Sequence, residues 1–151
     1  MNNKSKYELR APCNAEEWET YHDIRRKVLF EDRRLIGIYN KNHPDEIYES
    51  NYPLILLLDG IPIGVIRVDI NDKQAIFRRV AVREDLQRVG HGRMLLAMAE
   101  SFARSKGCNH ILSNVAPDAT GFYERCGYTV APSASMTGTS ISMHKNLAQS
   151  R

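Results

Sequence analysis

The sequence predicts an α/β fold: a mixed, mostly antiparallel sheet of about six or seven strands flanked by helices. Apolar segments of strand length recur through the middle of the chain and are separated by short turn dipeptides. Two other stretches repeat apolar residues at helical spacing. At 151 residues and 42% hydrophobic content, the chain has the length at which one domain is expected. We therefore take residues 1–151 as a single domain.

The first seventy residues are predicted to begin with a strand and a helix. Tyr7–Ala11 alternates weakly, as an opening strand does. Asn14, followed three residues later by a glutamate, has the pattern of a capped helix start, and apolar residues at helical spacing extend this helix to Val28. Three basic residues at 25–27 favour a solvated face near its negative end. A proline followed by two acids predicts a second, short helix at 44–46.

The centre of the chain predicts a three-stranded antiparallel meander. Leu54–Leu58 and Ile61–Ile70 flank an Asp-Gly pair at 59–60, which accepts the positive φ values of a two-residue hairpin turn. The Asn-Asp pair at 71–72 offers a second reversal before Gln74–Val82.

A long amphipathic helix then separates Gln74–Val82 from the buried strand His110–Val115, so these two strands are predicted to run parallel through a crossover. The chain should close with a short helix capped by Asp118 and with two strands, Tyr128–Val130 and Thr139–Lys145.

Composition excludes several classes of function. The net charge of +3, from 21 basic and 18 acidic side chains, is too small for the basic footprint of a nucleic-acid-binding protein. The three cysteines and five histidines show no ligand spacing, which favours a reduced, cytoplasmic setting without a metal. The longest apolar run, Leu54–Leu58, is too short to cross a bilayer. We therefore expect no metal, no nucleic acid and no membrane among the ligands and partners of the chain.

A glycine-containing loop follows Gln74–Val82 and opens directly into the long helix. Glycine permits backbone conformations closed to other residues, and the first N–H groups of a helix lack internal partners, so the loop can bind a diphosphate. Side chains of Gln87, Arg88 and Arg93 add donors. A tight turn without a ligand is the alternative interpretation. Neither a P-loop nor a dinucleotide fingerprint fits, because no Lys-Ser/Thr pair follows the glycines and no third glycine stands at 95.

The loop sequence Q-R-V-G-H-G at 87–92 resembles the Q/R-x-x-G-x-G/A signature of the GCN5-related N-acetyltransferase (GNAT) superfamily. Upstream, R-R-V-A-V is similar to the central strand of that family. Downstream, G-F-Y-E-R-C-G-Y is similar to its F-Y-E-K-x-G-F segment. The resemblance is specific over residues 74–130 and topological before them. It implies the GNAT fold and acetyl-CoA as co-substrate.

The resemblance also implies a V-shaped opening between the two parallel strands, into which the pantetheine arm of acetyl-CoA inserts like an extra strand. The implied backbone contacts come from Val80, Ala81 and Val82, with the Val82 N–H on the thioester carbonyl. The residues alone support only the packing of a buried strand at these three positions. The asparagine that the family commonly carries is replaced here by Ala116. Asn114 on the preceding strand is expected to contact pantetheine in its place. The implied pyrophosphate contacts are the loop residues Gln87, Arg88, Val89, Gly90, His91, Gly92 and Arg93.

Tyr123 matches the tyrosine that protonates the departing thiolate in this family. A thiol with a pKa near ~8.5 and a phenol near ~10 allow that transfer when the two groups are adjacent. Phe122 and Tyr123 lie on one short helix, where one of them must pack inward. We assign packing to Phe122 and chemistry to Tyr123; the reverse assignment, or neither, is the alternative.

The central strand departs from the family pattern at the base. Many members carry a glutamate there that deprotonates the attacking amine, whereas this chain presents Arg78 and Arg79. An alkylammonium with a pKa near ~10 must first lose a proton, so another base, a water chain or a neutral acceptor is required. If either arginine lines the cleft, the acceptor is expected to carry a carboxylate or phosphate. A salt bridge on the sheet face is the alternative.

The resemblance predicts a cytoplasmic transferase that moves an acetyl group from acetyl-CoA to a primary amine of a small molecule or peptide. Direct attack within a ternary complex is the expected route. A non-catalytic acyl-CoA-binding or regulatory module of the same fold is the alternative, which the missing glutamate favours. A homodimer is a further expectation, because the family often dimerises. An RNA-binding function lacks the aromatic motifs and the basic cluster it requires.

Overall fold

The computed structural model describes residues 6–31, 50–87, 89–132 and 140–147. Within them, seven strands form one sheet in the order β1-β2-β3-β4-β5-β7-β6. The strands are β1 (Tyr7–Arg10), β2 (Asn51–Leu58), β3 (Ile61–Asn71), β4 (Gln74–Val82), β5 (His110–Val115), β6 (Thr129–Val130) and β7 (Ile141–Asn146). The helices are α1 (Ala15–Arg25), α2 (His91–Ser105) and α3 (Thr120–Arg125). Among these strands β4 and β5 pair in parallel and the others antiparallel, which confirms the predicted mixed sheet.

Helix α1 begins where the sequence predicts. The Asn14 side chain accepts a hydrogen bond from the Glu17 amide at 2.8 Å, which satisfies one of the unpaired amides of the first turn. The Glu17 carboxylate in turn accepts from the Cys13 amide at 2.9 Å and pairs with Arg10 at 2.7 Å. These contacts connect the end of β1 to the start of α1.

The basic residues at the end of α1 are only partly solvated, which corrects the prediction. Arg25 is 3% exposed, and it donates to the Tyr21 hydroxyl at 2.9 Å. It follows Tyr21 by four residues and so shares the helix face that packs on the sheet. Arg26 and Lys27 are exposed, as predicted. The chain then continues as a π-helical stretch, Arg26–Glu31. The short helix predicted at 44–46 lies outside the described residues.

The meander turns follow the predicted chemistry. Asp59 and Gly60 have φ values of 51° and 82°, the left-handed pair of a type I′ hairpin turn. Asp72 has φ 58° in the second turn. Both reversals therefore use residue types that tolerate positive φ.

Helices cover the sheet on both faces. On one face, α2 packs against residues of β2–β5 such as Leu56 and Phe77. On the other face, α1 packs Tyr21 and Ile24 against residues that include Ile55. Ile55 and Leu56 are neighbours on β2 and both are 0% exposed, so this part of the sheet is buried on both sides.

The C-terminal elements differ from the prediction in detail. A 3-10 turn, Pro117–Ala119, leads into α3, so Asp118 lies within this turn and Ala119 occupies the N-cap position. Tyr128 precedes β6 and is 1% exposed. Thr139, the predicted start of the last strand, lies outside the described residues.

Candidate functional site

The parallel pairing of β4 and β5 stops part-way along both strands. Its register runs from Gln74 opposite His110 to Phe77 opposite Ser113, whereas β4 continues to Val82. Beyond Phe77 and Ser113 the two strands separate, and we call this gap the β4–β5 opening. Main-chain groups of β4 that face it are not used by the sheet and can accept an added strand-like ligand.

A bulge in β4 accounts for the separation. The register of β3 with β4 shifts here, so that Arg79 and Val80 together oppose Ile66. Arg79 has φ 57°, a left-handed conformation in the middle of a strand. A bulge bends its strand and increases the local twist, and it lies just beyond the last β4–β5 pair. A strained arginine at this position is typical of a functional site.

Main-chain directions in β4 follow from one hydrogen bond. The Arg83 amide donates to the Ile63 carbonyl at 2.8 Å, on the β3 side. Because main-chain groups alternate along a strand, those of Val82 and Val80 face the β4–β5 opening, as the resemblance implies. Those of Ala81 face β3, so the predicted backbone contact from Ala81 does not fit this geometry.

The loop after β4 presents a helix N-terminus. Gly90 has φ 95° and is the N-cap residue of α2. The Met94 amide is the first to bond back into the helix, to the Gly90 carbonyl at 3.2 Å. Among the described residues, no main-chain carbonyl accepts from the three amides before it, at residues 91–93, so these amides can bind an anion. Val89 is 66% exposed, and Arg88 lies outside the described residues.

Two of the predicted pyrophosphate donors are the side chains of Gln87, in the loop, and Arg93, at the start of α2. Gln87 lies beside the β4–β5 opening, where its amide nitrogen donates to the Val82 carbonyl at 3.0 Å. Arg93 is exposed on the first turn of α2.

Gly92 packs closely against the ring of Phe122. A Cβ at this position would lie 3.1 Å from Cζ of Phe122, so a side chain here would require the Phe122 ring to move by a few tenths of an ångström. The loop helix α2 and the short helix α3 therefore touch through this residue. Backbone freedom was predicted as the reason for both loop glycines, but of the two only Gly90 has a positive φ.

Tyr7 and His91 form a contact that the sequence did not indicate. The Tyr7 hydroxyl and Nδ1 of His91 are 2.8 Å apart, which connects β1 to the first residue of α2. The two residues are 84 positions apart in the chain, and no local pattern relates them.

Tyr123 lies beside the last paired residues of the two parallel strands. It is 7% exposed, and burial raises the pKa of its hydroxyl to about 12, although a polar interaction with the Ser113 hydroxyl partly opposes the shift. Ser113 donates to the Phe77 carbonyl at 3.3 Å. Phe122, which packs on Gly92, is half-buried. Tyr123 is therefore the more buried of the two rings, and both rings contact the core, which corrects the assignment of inward packing to Phe122 alone. The Tyr123 hydroxyl is adjacent to the β4–β5 opening.

A buried polar network lies behind Tyr123. The ring centre of Tyr123 is 5.4 Å from the ring centre of Tyr128. The Tyr128 hydroxyl donates to the Glu100 carboxylate at 2.8 Å, and Lys145 donates to the same carboxylate at 3.0 Å. Burial, followed by the Glu100 charge, raises the pKa of Tyr128. The sequence signal for this network was a glutamate among the apolar residues of the packed face of α2.

The two arginines of β4 have different environments. Arg78 donates from Nε to Asp69 at 2.9 Å and its side chain is 41% exposed. Arg67 of β3 donates two hydrogen bonds to the same carboxylate, at 2.7 and 2.8 Å, and its side chain is 5% exposed. Arg79 is exposed at the bulge. Arg78 thus forms the salt bridge on the sheet face that the sequence analysis held as the alternative.

Asn114 projects on the sheet face opposite Tyr123. It follows Ser113, whose side chain is on the Tyr123 side, and successive residues of a strand alternate between faces. Its amide oxygen accepts from the Ser142 hydroxyl at 2.9 Å, and the residue is exposed. Contact between this side chain and pantetheine remains a prediction.

A groove of ≈ 930 Å³ lies along α1, on the sheet face opposite α2. Its lining includes Gly60 of the hairpin turn, Arg83 after β4 and several acidic residues. None of the predicted cofactor-binding residues lines it. The acids that have partners here include Glu84 and Asp85, which pair with Lys27 and Arg83. This groove is therefore separate from the β4–β5 opening.

Comparison with known proteins identifies the family. The model of the acetyltransferase (GNAT) family matches residues 4–128. The chain belongs to the GNAT acetyltransferase family. The YyaT protein of Bacillus subtilis is 22% identical to this GNAT chain over 108 residues, which cover 72% of this chain and 73% of that protein.

Solved structures agree with the GNAT assignment. A candidate N-acetyltransferase from Lactobacillus plantarum is 27% identical with a TM-score of 0.76, covering 97% of this chain and 100% of that one. The PaiA N-acetyltransferase from Thermoplasma acidophilum, solved in complex with coenzyme A, is 21% identical with a TM-score of 0.70. That match covers 93% of the GNAT chain and 99% of the Thermoplasma chain.

Two further structural findings concern this GNAT chain as far as it is described. None of the described helices has the length and apolar character needed to span a membrane. The described residues also contain no cluster of three or more His, Cys, Asp or Glu side chains placed to hold a metal ion.

Proposed function

We propose that this GNAT protein transfers an acetyl group from acetyl-CoA to a primary amine of a small molecule or peptide, within a ternary complex. One arrangement carries the proposal. The buried phenol of Tyr123 lies beside the last paired residues of β4 and β5, where the β4–β5 opening begins. At the other end of the opening, β4 leads to the helix N-terminus at Gly90. A thioester with a strand-like arm and a diphosphate has the chemistry for these three features.

The residues around the opening fit an acyl-CoA. Val80 and Val82 direct main-chain groups into it, where the amides of a pantetheine arm pair as an added strand does. The free amides at residues 91–93 bind the diphosphate, because a helix N-terminus carries partial positive charge. Arg88, Val89 and Arg93 complete the proposed pyrophosphate site.

The chemical step needs a polarised carbonyl and a proton donor. The acceptor nitrogen attacks the thioester carbonyl carbon, a C–N bond forms and the C–S bond breaks. The Val82 N–H donates a hydrogen bond to the carbonyl oxygen, where negative charge develops. The Tyr123 hydroxyl gives its proton to the departing sulfur, and the amine gives up its own proton to base or water.

Burial suits Tyr123 to this role. With a pKa raised to about 12, the phenol is fully protonated at neutral pH and is ready to donate. The same dry surroundings disfavour a thiolate, so burial raises the proton affinity of the leaving sulfur as well. Because the pKa values of the phenol and of the thiol both rise, the difference between them stays small, and the proton transfer costs little free energy.

At its bulge β4 itself offers the attacking amine Arg78 and Arg79 in place of a glutamate. The neighbouring Asp69 carboxylate is paired with Arg67 and Arg78. The amine must therefore lose its proton through a water chain or to another base, or it must already be neutral when it binds. The same observation favours the second candidate function, a module of the GNAT fold that binds acyl-CoA without turnover.

One pair of measurements tests both candidates on the full chain. Calorimetry with acetyl-CoA tests binding, and release of free coenzyme A in the presence of an amine panel tests turnover. Binding together with amine-dependent release supports the transferase. Binding without release for any amine supports the non-catalytic module, and absence of binding at millimolar acetyl-CoA contradicts both.

A further inference from the structure

Arg78 is a partly exposed cation held in one orientation. Its Nε donates to Asp69 at 2.9 Å, and its side chain is 41% exposed. Asp69 is itself fixed by two hydrogen bonds from Arg67, which is almost fully buried. Asp69 and Arg67 therefore orient the Arg78 guanidinium. The described contacts use its Nε, and both terminal nitrogens remain as donors.

Arg78 lies at the start of the β4–β5 opening. It is the first residue of β4 after Phe77, the last to pair with β5. Its side chain alternates with that of Phe77, which packs under α2, so Arg78 projects on the opposite face. Tyr123 belongs to the Phe77 side. Arg78 therefore lies on the face opposite α2 and α3, at the end of the β4–β5 opening where the strand pairing stops and beside which Tyr123 also lies. An acceptor that enters the opening from that face meets Arg78.

We propose that the acceptor is an amine that also carries a carboxylate, and that Arg78 binds this carboxylate. The inference deepens the proposed acetyl transfer and rests on it. Two parallel N–H donors on one guanidinium match the two oxygens of a carboxylate. Asp69 lies beside the site and repels a doubly charged phosphate more than a singly charged carboxylate. The specificity thus favours amino acids over simple amines and polyamines.

The test compares matched acceptors that differ only in the carboxylate. Suitable pairs are lysine and cadaverine, arginine and agmatine, and γ-aminobutyrate and propylamine, with phosphoethanolamine as the phosphate probe. Two readouts are taken: kcat/KM for coenzyme A release, and calorimetric binding of each amine to the protein saturated with coenzyme A. The carboxylated member of at least one pair should be preferred by about tenfold or more.

Variants connect this preference to Arg78. Arg78→Gln should lower kcat/KM for the preferred carboxylated acceptor about 10- to 100-fold, the effect of losing a charge-assisted contact, with the acetyl-CoA dissociation constant unchanged. Arg78→Lys should restore part of the loss, because it keeps the charge without the paired geometry. Arg104→Gln, on an exposed turn of α2, is the matched control and should behave as the parent.

Several results would overturn the inference while leaving the transferase proposal intact. These are equal or better use of the decarboxylated amines, a preference for phosphoethanolamine, a preference that Arg78→Gln does not change, or no binding of any carboxylated amine by a protein that binds acetyl-CoA. Failure to bind acetyl-CoA at all contradicts the proposed function itself. The two failures are therefore distinguishable.

Discussion

The Tyr7 hydroxyl is hydrogen-bonded to Nδ1 of His91, at 2.8 Å. Tyr7 begins the first strand and His91 begins the helix whose amides we assign to the diphosphate. The bond fixes the start of that helix to the sheet from outside the loop. We therefore propose that Tyr7 is a positioning residue for cofactor binding, although it lies far from the loop in sequence.

Replacing Tyr7 with phenylalanine should therefore weaken acetyl-CoA binding. The expected rise in KM for acetyl-CoA is about 2- to 10-fold, the effect of one hydrogen bond, with little change in kcat. Tyr52→Phe is the control, because the ring of Tyr52 packs on Phe102 away from the loop. A lower kcat at unchanged KM would contradict this role for Tyr7.

Gly90→Ala should reduce both stability and acetyl-CoA affinity. An alanine at φ 95° costs about 1–2 kcal/mol in unfolding free energy. Gly107→Ala is a matched control, because Gly107 has φ 90° and equally open surroundings but lies at the other end of α2. Both variants should lose similar stability in urea, whereas acetyl-CoA binding should weaken only in Gly90→Ala.

Tyr123→Phe should lower kcat about 100-fold or more, the range for loss of a general acid. The dissociation constant of acetyl-CoA should change little, because the ring and its packing remain. Single-turnover and binding measurements on the same preparation separate the two effects. Parental turnover by the variant would remove Tyr123 from the mechanism.

The parent protein also has an expected pH profile. A pKa of about 12 keeps Tyr123 protonated, so kcat/KM should rise as the acceptor amine deprotonates and should not fall before about pH 10. A decline between pH 8 and 9 in a protein that remains folded would show that the essential acid titrates well below Tyr123.

Tyr128→Phe should destabilise the fold without affecting chemistry directly. It removes the 2.8 Å hydrogen bond to buried Glu100, and loss of a bond to a charged group costs about 1–3 kcal/mol. Urea unfolding measures this loss, with Tyr52→Phe as the control. An unchanged unfolding free energy would mean that Lys145 alone satisfies the carboxylate.

The His110–His144 pair should make stability fall in mild acid. Their ring nitrogens are 2.9 Å apart, and burial, followed by the neighbouring His144, lowers the pKa of His110 below its ordinary 6.5. A lowered folded-state pKa means that stability is present above pH 6.5 and is lost as pH falls through the folded value. From pH 7.5 to pH 5.5 the Tm of the parent should fall, and this fall should exceed that of His110→Gln by at least about 2 °C.

Much of the fold was readable because its signals are local. The Asp-Gly turn at 59–60, the Asn14 cap and the helical stripe of α2 each depend on residues a few positions apart, and all three are confirmed. Arg25 was misplaced because its burial depends on the orientation of α1 against the sheet, which charge patterning alone does not report.

The site was predicted through its motif more than through its geometry. Residues 87–92 carry a family signature, and the structure shows the β4–β5 opening beside them. The bulge at Arg79, the Tyr7–His91 bond and the Asp69 clamp on Arg78 are all contacts between distant segments or departures from ideal strand geometry. No spacing rule within one segment predicts them.

The contact between Gly92 and Phe122 joins the two ends of the reaction centre. Phe122 precedes Tyr123 on α3, and its ring occupies the space where Gly92 lacks a side chain. The first turn of α2 is therefore packed against the residue next to the Tyr123 phenol. The proposed diphosphate site and the proposed proton donor thus depend on one packing contact, which a side chain at position 92 would disturb.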